Sequence, residues 1–216
     1  MKLLHVDTSP KSERSNSRAL GRYFVETLAL GTASLTIDHL DLVTDPAPAM
    51  TEAFTIASYT PAAERTVEMK RALVASDALC VRMLDADALV FAMPMYNWSM
   101  PAAFKAFIDA VVRAGITYVA TADGRYVGAL GTKKILFLTT RGGDLRPGSP
   151  LAGMDALTPA LRAAFEFMGA VDPRFVDAQP VQFAQPDDRA AALDRARIEL
   201  DQIAEEWTGQ PILAAA

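Results

Sequence analysis

Ala88 to Met93 offers no polar side chain to either face of a strand, and a run apolar on both sides belongs inside a sheet covered by helices above and below. Pro94 stops the run, since proline lacks a backbone donor and biases Met93 toward extended geometry. The loop that follows therefore begins at the carboxyl end of a strand. Pro101 suits the first turn of a helix in which Phe104, Phe107, Ile108, Val111 and Val112 recur at core spacing. Between strand and helix stand Met95, Tyr96, Asn97 and Trp98, a thioether, a phenol, an amide and an indole. Such side chains suit a flat heteroaromatic ring, because Asn97 both donates and accepts while Tyr96 and Trp98 present faces and edges. The alternative for a Pro-flanked aromatic loop is plain surface packing. In open α/β sheets ligands sit beyond the carboxyl ends of the strands, where this loop lies.

The rest of the chain repeats the alternation. Leu3, Leu4 and Val6 predict a first strand ending at Asp7-Thr8-Ser9-Pro10, and Leu20, Tyr23, Phe24, Thr27 and Leu28 mark one face of the next helix. The intervening segment carries Ser9, Ser15, Asn16 and Ser17 but no glycine, so it is neither a Walker loop nor a GxGxxG turn. Hydroxyls at a helix N-terminus make an anion site. Ser15 or Ser17 acting only as a helix cap is the simpler reading, and the two are compatible. A strand is predicted over 34–40, a loop over 41–50 long enough for a lid or a dimer contact, and a long helix over 62–84 with Val67, Leu73, Val74, Leu79 and Leu84 as apolar markers. After the Pro101 helix come short extended pieces around the turn Asp123-Gly124, then a fourth strand at 135–138 running into Thr139-Thr140-Arg141-Gly142-Gly143. Paired glycines allow close backbone approach to a ligand, although a simple turn explains them equally. A helix over 154–168, a fifth strand over 175–183 and a last helix over 187–207 complete a β-α-β pattern, the signature of a parallel sheet with crossover helices. An Ala-rich tail closes the chain.

Composition narrows the function classes. The 216 residues suit one domain spanning 1–216, and 51% apolar with 22% charged residues reads as globular. No run approaches the roughly 20 apolar residues of a membrane span. Asp7 and Pro10 interrupt the N-terminal apolar stretch too early for a secretory signal, which predicts a cytoplasmic protein. A net charge of −5 without a basic tract argues against nucleic acid as a partner. Cys80, the single cysteine, falls in an apolar helical pattern and reads as a buried, inert thiol. His5 and His39 fall in predicted strands of different pairs, and with no metal-ligand spacing along the chain no protein-held metal is expected.

Taken together, Thr8-Ser9-Pro10 with Ser15-Asn16-Ser17, Pro94 to Trp98, Phe104-Lys105 through Asp109, Arg113 to Tyr118 and Thr140 to Gly143 resemble the FMN-dependent NADH-azoreductase family, which is related to NAD(P)H:quinone oxidoreductases. The resemblance runs over nearly the whole chain in order. It implies a flavodoxin-like, doubly wound, five-stranded parallel sheet of order 2-1-3-4-5 with FMN at its carboxyl edge. It implies that Ser9, Ser15, Asn16 and Ser17 hold the FMN phosphate, that Met95, Tyr96, Asn97, Trp98, Thr140, Arg141, Gly142 and Gly143 embrace the isoalloxazine, and that Tyr118, Ala120 and Phe167 border the substrate. Trp98 stands where Phe is usual, Thr140 where Ser is frequent and Tyr118 where Phe is common, which bears on substrate preference more than on the cofactor. The implied activity is two-electron transfer from NADH or NADPH through FMN to quinones and azo compounds in a homodimer, with alternating reactants. No residue need act as a nucleophile or acid, because the flavin carries the chemistry. Arg141 either tunes the flavin's charge or forms a surface or dimer ion pair. A flavodoxin-type electron carrier and a flavin-bound regulatory protein are the alternatives.

Overall fold

The computed structural model describes residues 1–210; the Ala-rich tail lies outside them. Five strands form one parallel sheet: β1 (Lys2–Asp7), β2 (Thr36–Asp41), β3 (Ala88–Pro94), β6 (Lys134–Thr140) and β7 (Arg174–Ala178), in the order β2-β1-β3-β6-β7. This is the expected 2-1-3-4-5 arrangement, with the short antiparallel hairpin β4 (Tyr118–Ala120) and β5 (Tyr126–Gly128) inserted before the fourth sheet strand.

Side-chain parity along the strands sorts the core into two layers. Leu4, Val6, Leu89, Phe91, Met93, Ile135 and Phe137 face α3 (Val67–Asp85), α4 (Ala102–Val111) and α5 (Leu157–Phe167). Leu3, Ala88, Val90, Leu136, Leu138 and Val176 face α1 (Asn16–Leu30) and α6 (Pro186–Thr208). β3 is buried on both faces from Ala88 to Met93, as its composition predicts. Phe91 sits at the centre of an aromatic cluster, 5.3 Å from Phe104, 5.2 Å from Phe137 and 5.0 Å from Phe165 between ring centroids. Cys80 is fully buried, and desolvation pushes its thiol up to about 11, which keeps it protonated.

Several boundaries differ from the sequence reading. The long helix begins at Val67, not at 62, because Thr66 caps it by accepting the Met69 N–H at 3.3 Å. Val67 and Val74 are exposed, and the buried stripe instead runs through Leu73, Ser76, Leu79, Cys80 and Met83. An unforeseen helix, α2 (Glu52–Tyr59), is capped by Thr51, and its Phe54 packs on Leu73 beneath the Arg113 guanidinium. Arg113 itself is buried and pairs with Asp77 at 3.0 Å. The 41–50 loop is pinned by Leu42, which is buried in the core. The fifth sheet strand ends at Ala178, so residues 179–183 are a loop. β1 and β2 are direct partners, which sets His5 opposite His39 in register.

The hairpin is seated by backbone. A side chain at Gly128 would collide with the main chain of Met168 and Gly169, the nearest atom lying 2.0 Å from its Cβ, and the Leu130 N–H donates to Met168 O at 2.9 Å. Truncating Phe91 to Ala opens a cavity where four phenylalanines meet. The expected loss is about 3–5 kcal/mol, read as a lowered urea midpoint with unchanged slope; a loss under about 1 kcal/mol would show that the cluster collapses around the gap.

Candidate functional site

A cavity of about 540 Å³ opens beyond the carboxyl ends of β1, β3, β6 and β7, within the roughly 300–1,000 Å³ usual for small-molecule sites. Its two ends differ in chemistry. One end is the loop between β1 and α1, where Ser9, Ser15 and Asn16 meet the cationic Lys11 and Arg14. Ser15 caps α1 by accepting the Arg18 N–H at 3.3 Å and also lines the cavity, so both readings of this serine hold in one residue. Ser17 is completely buried and is not part of the lining; its hydroxyl shares a hydrogen bond of 3.1 Å with that of Ser15, fixing the orientation of the residue that is. A second hollow of about 580 Å³ flanks the same loop, with Lys11, Arg14 and Arg189 against Glu13. The excess of cations, added to the dipole of α1, suits a phosphate.

The loop is held from below by Arg18. Its Nε donates to Ser9 O at 2.8 Å, while its other nitrogens lie 2.7 Å from Asp41 Oδ1 and 3.5 Å from Asp7 Oδ2. Burial pushes the Asp41 carboxyl up, but the Arg18 hydrogen bond, the Val43 N–H and the Arg18 charge together hold it below the usual carboxylate range.

The other end is built for a ring. Met95, Tyr96, Asn97 and Trp98 form one wall, and Thr140, Gly142 and Gly143 the facing one. Gly142 and Gly143 present backbone alone, and a side chain at either would have to displace a neighbouring one. A Cβ on Gly142 would meet the Phe183 ring at 2.9 Å, and one on Gly143 would meet Leu151 Cδ1 at 2.8 Å. Phe183, Gln182, Leu145 and Leu151 also line the cavity and were not foreseen. Phe183 falls at the end of the strand expected over 175–183; Pro180, which cannot donate to a ladder, is the signal in the sequence for a loop there.

Arg141 belongs to a different role from its neighbours. Its side chain is buried away from the lining, paired with Asp155 at 2.8 Å and Asp177 at 3.0 Å and donating to Thr158 Oγ1 at 2.7 Å. Asp155 in turn accepts the Leu157 and Thr158 N–H groups, both at 3.0 Å, at the start of α5. An ion pair therefore holds this side chain, but a buried one within the chain and not the surface or dimer pair expected. Tyr118, Ala120 and Phe167 do not line the cavity either. Tyr118 and Phe167 stack together with Tyr126, ring centroids 4.6 to 5.8 Å apart, on the hairpin side of α5.

The ring-facing loop carries backbone strain. Tyr96 and Ser99 exchange hydrogen bonds of 3.0 Å each way around Asn97 and Trp98, whose φ values are 47° and 72°. A two-residue turn with both centres at positive φ is the primed hairpin geometry, which asparagine tolerates and a bulky residue does not. The Ala156 N–H donates to Trp98 O at 3.0 Å and helps hold the turn. Trp98 is about two-fifths exposed, so its indole returns only part of its surface as burial. Replacing Trp98 with Gly relieves the roughly 1–2 kcal/mol that left-handed backbone costs an L-residue but gives up that burial, so the unfolding free energy from urea melts should change by less than about 1 kcal/mol. A clear loss of stability would show that the indole is chiefly a packing group.

The sequence profile of the family described as flavodoxin-like fold matches residues 1–204. A Trichormus variabilis protein named FMN-dependent NADH:quinone oxidoreductase 1 is 41% identical over 207 residues, covering 96% of this chain and 97% of its own. A Nostoc species protein named FMN-dependent NADH:quinone oxidoreductase is 38% identical over 206 residues, covering 95% of this chain and 99% of its own. The crystal structure of an azoreductase from Bacillus anthracis superposes with a TM-score of 0.86 at 26% identity, covering 95% of this chain and 99% of the other. With sheet order, cavity position and sequence in agreement, this chain belongs to the family of flavodoxin-like fold proteins.

Proposed function

We propose that this chain is an FMN-dependent oxidoreductase that passes two electrons from NADH, or from NADPH, to quinones and azo compounds. The observation that carries the reading is one cavity joining a cationic, hydroxyl-bearing helix N-terminus to a wall of thioether, phenol, amide and indole. The donor set fits FMN. Ser9, Ser15 and Asn16, with Lys11 and Arg14 nearby, bind the phosphate, and Ser17 orients Ser15. Met95 to Trp98 and the backbone of Gly142 and Gly143 grip the ring, while Thr140 offers a hydroxyl beside it and Arg141 braces the floor through Asp155 and Asp177. FMN bound there supplies the hydride and electron chemistry. The chain's own residues supply position, the exclusion of water and hydrogen bonds that accept negative charge.

The names of the relatives support the same activity. Because donor and acceptor share one cavity, they take turns. The yellow, FMN-loaded chain should bleach on anaerobic addition of NADH alone, and initial rates with a quinone should give parallel double-reciprocal lines. A chain that stays yellow until a separate reductase is added would instead be an electron carrier. Intersecting lines would break the one-cavity scheme while leaving FMN binding intact.

We further infer that the 216 residues act as one FMN-binding domain in the cytoplasm and pair as a homodimer. No helix among the described residues is long and apolar enough to cross a membrane. Support for pairing comes from the tyrosine face of the hairpin, where Tyr126 and Phe167 stand exposed beside Tyr118. A second copy on this face would cover them and place Tyr118, Ala120 and Phe167 at a shared boundary. Light scattering should give a dimer mass at assay concentration; a fully active monomer would refute it.

A further inference from the structure

Apart from the cavity, the described residues contain one convergence of metal-ligating atoms. The parallel register of β1 and β2 sets His5 opposite His39, with ring centroids 5.1 Å apart, and Asp7, two residues beyond His5, points to the same side of the sheet. His39 Nε2 lies 3.0 Å from Asp7 Oδ2, and His5 Nε2 lies 3.8 Å from Asp7 Oδ1. All three donor groups fall within 4.8 Å of one another. His5 and Asp7 are more than nine-tenths buried, yet His5 Nε2 and Asp7 Oδ1 have no hydrogen-bond partner in the protein. Two orphaned buried polar atoms 3.8 Å apart call for an occupant.

We propose that His5, Asp7 and His39 form a binding site for a divalent transition-metal ion of the Zn²⁺ or Co²⁺ class, separate from the FMN cavity. Two imidazoles and one carboxylate are the ligand type these ions favour, whereas Mg²⁺ and Ca²⁺ want oxygen throughout. Metal–ligand bonds of about 2.0–2.2 Å in tetrahedral geometry place donor atoms about 3.3–3.6 Å apart; the 3.8 Å between His5 Nε2 and Asp7 Oδ1 is close to that, and an ion would replace the hydrogen bond that joins His39 Nε2 to Asp7 Oδ2 at 3.0 Å. His39 lies on the edge strand with its side chain half exposed, which provides an entry path, freedom to close and open positions for water. Gly21 lets α1 approach the His5 ring closely, since a Cβ there would come within 2.7 Å of His5 Nε2. The remaining charged neighbours are Arg18 and Asp41. Arg18 is taken up chiefly by Asp41 at 2.7 Å and Ser9 O at 2.8 Å, and it touches Asp7 only at Oδ2, 3.5 Å away. Asp7 Oδ1 stays free for an ion. Val90 and Ala92 of β3, the neighbours of His5 and Asp7 in register, add no charge.

The sequence argument against a metal looked for spacing along one element. Here two strands supply the spacing instead. The test uses the full-length, FMN-loaded chain, stripped of metal by chelator dialysis and titrated with Co²⁺ at neutral pH. The parent should take up one Co²⁺ per chain with saturable d–d absorption, and Zn²⁺ should displace it. His39→Ala, on the exposed edge, should weaken Co²⁺ at least about 100-fold, the upper end of what losing a mere outer-shell partner costs, while far-UV circular dichroism and FMN content stay as in the parent. Should His39→Ala fail to fold, His39→Gln, which keeps the volume, carries the same expectation. No saturable absorption in the parent, as for a pocket that holds only a bridging water, would overturn the site. Equal affinity in parent and variant would overturn it as well, placing the ion elsewhere.

Discussion

Burial of β3 on both faces is the constraint from which the architecture follows. With no polar position to turn toward water, Ala88 to Met93 needs helices above and below, and crossover helices force its neighbours to run parallel. Parallel strands deliver all their carboxyl-end loops to one edge. The hydroxyl loop after β1, the aromatic loop after β3, the double glycine after β6 and the Phe183 loop after β7 thus converge without any direct attraction between them. The site is a by-product of strand direction, and the side chains then specialise it.

Much of this was legible in the sequence because it depends on short-range pattern. The apolar run with its terminal proline, the hydroxyl cluster before α1 and the paired glycines are each local signals, and the structure brings Ser9, Ser15, Asn16, Met95 to Trp98, Thr140, Gly142 and Gly143 to one cavity. What failed was long-range. Arg141 sits between cavity residues in sequence, but Asp155 and Asp177 lie on other elements and draw its side chain inward. The same holds for the two histidines, whose adjacency exists only through strand register. Helix starts went wrong where a threonine cap outweighed a continuing apolar pattern, as at Thr66.

The aromatic loop shows local preference yielding to function. Asn97 accepts positive φ readily, whereas Trp98 adopts it at a cost, and the surrounding hydrogen bonds from Ser99, Tyr96 and Ala156 keep the pair in place. A smaller residue would relax the turn but remove a wall of the cavity. Stability and recognition are set against each other at one residue.

Arg18 has a further consequence for how the protein meets changes in its medium. Its side chain and that of Asp7 are largely withdrawn from solvent, and together with Asp41 they fix the carbonyl of Ser9 from beneath. Mobile ions screen exposed charges within a Debye length of about 8 Å at physiological ionic strength but reach sheltered pairs poorly. Lys11 and Arg14 stand at the mouth, in contact with the bulk. Added salt therefore weakens the pull on an incoming anion while the loop that receives it keeps its shape, so the capture rate and the bound geometry answer to different parts of the same electrostatic field.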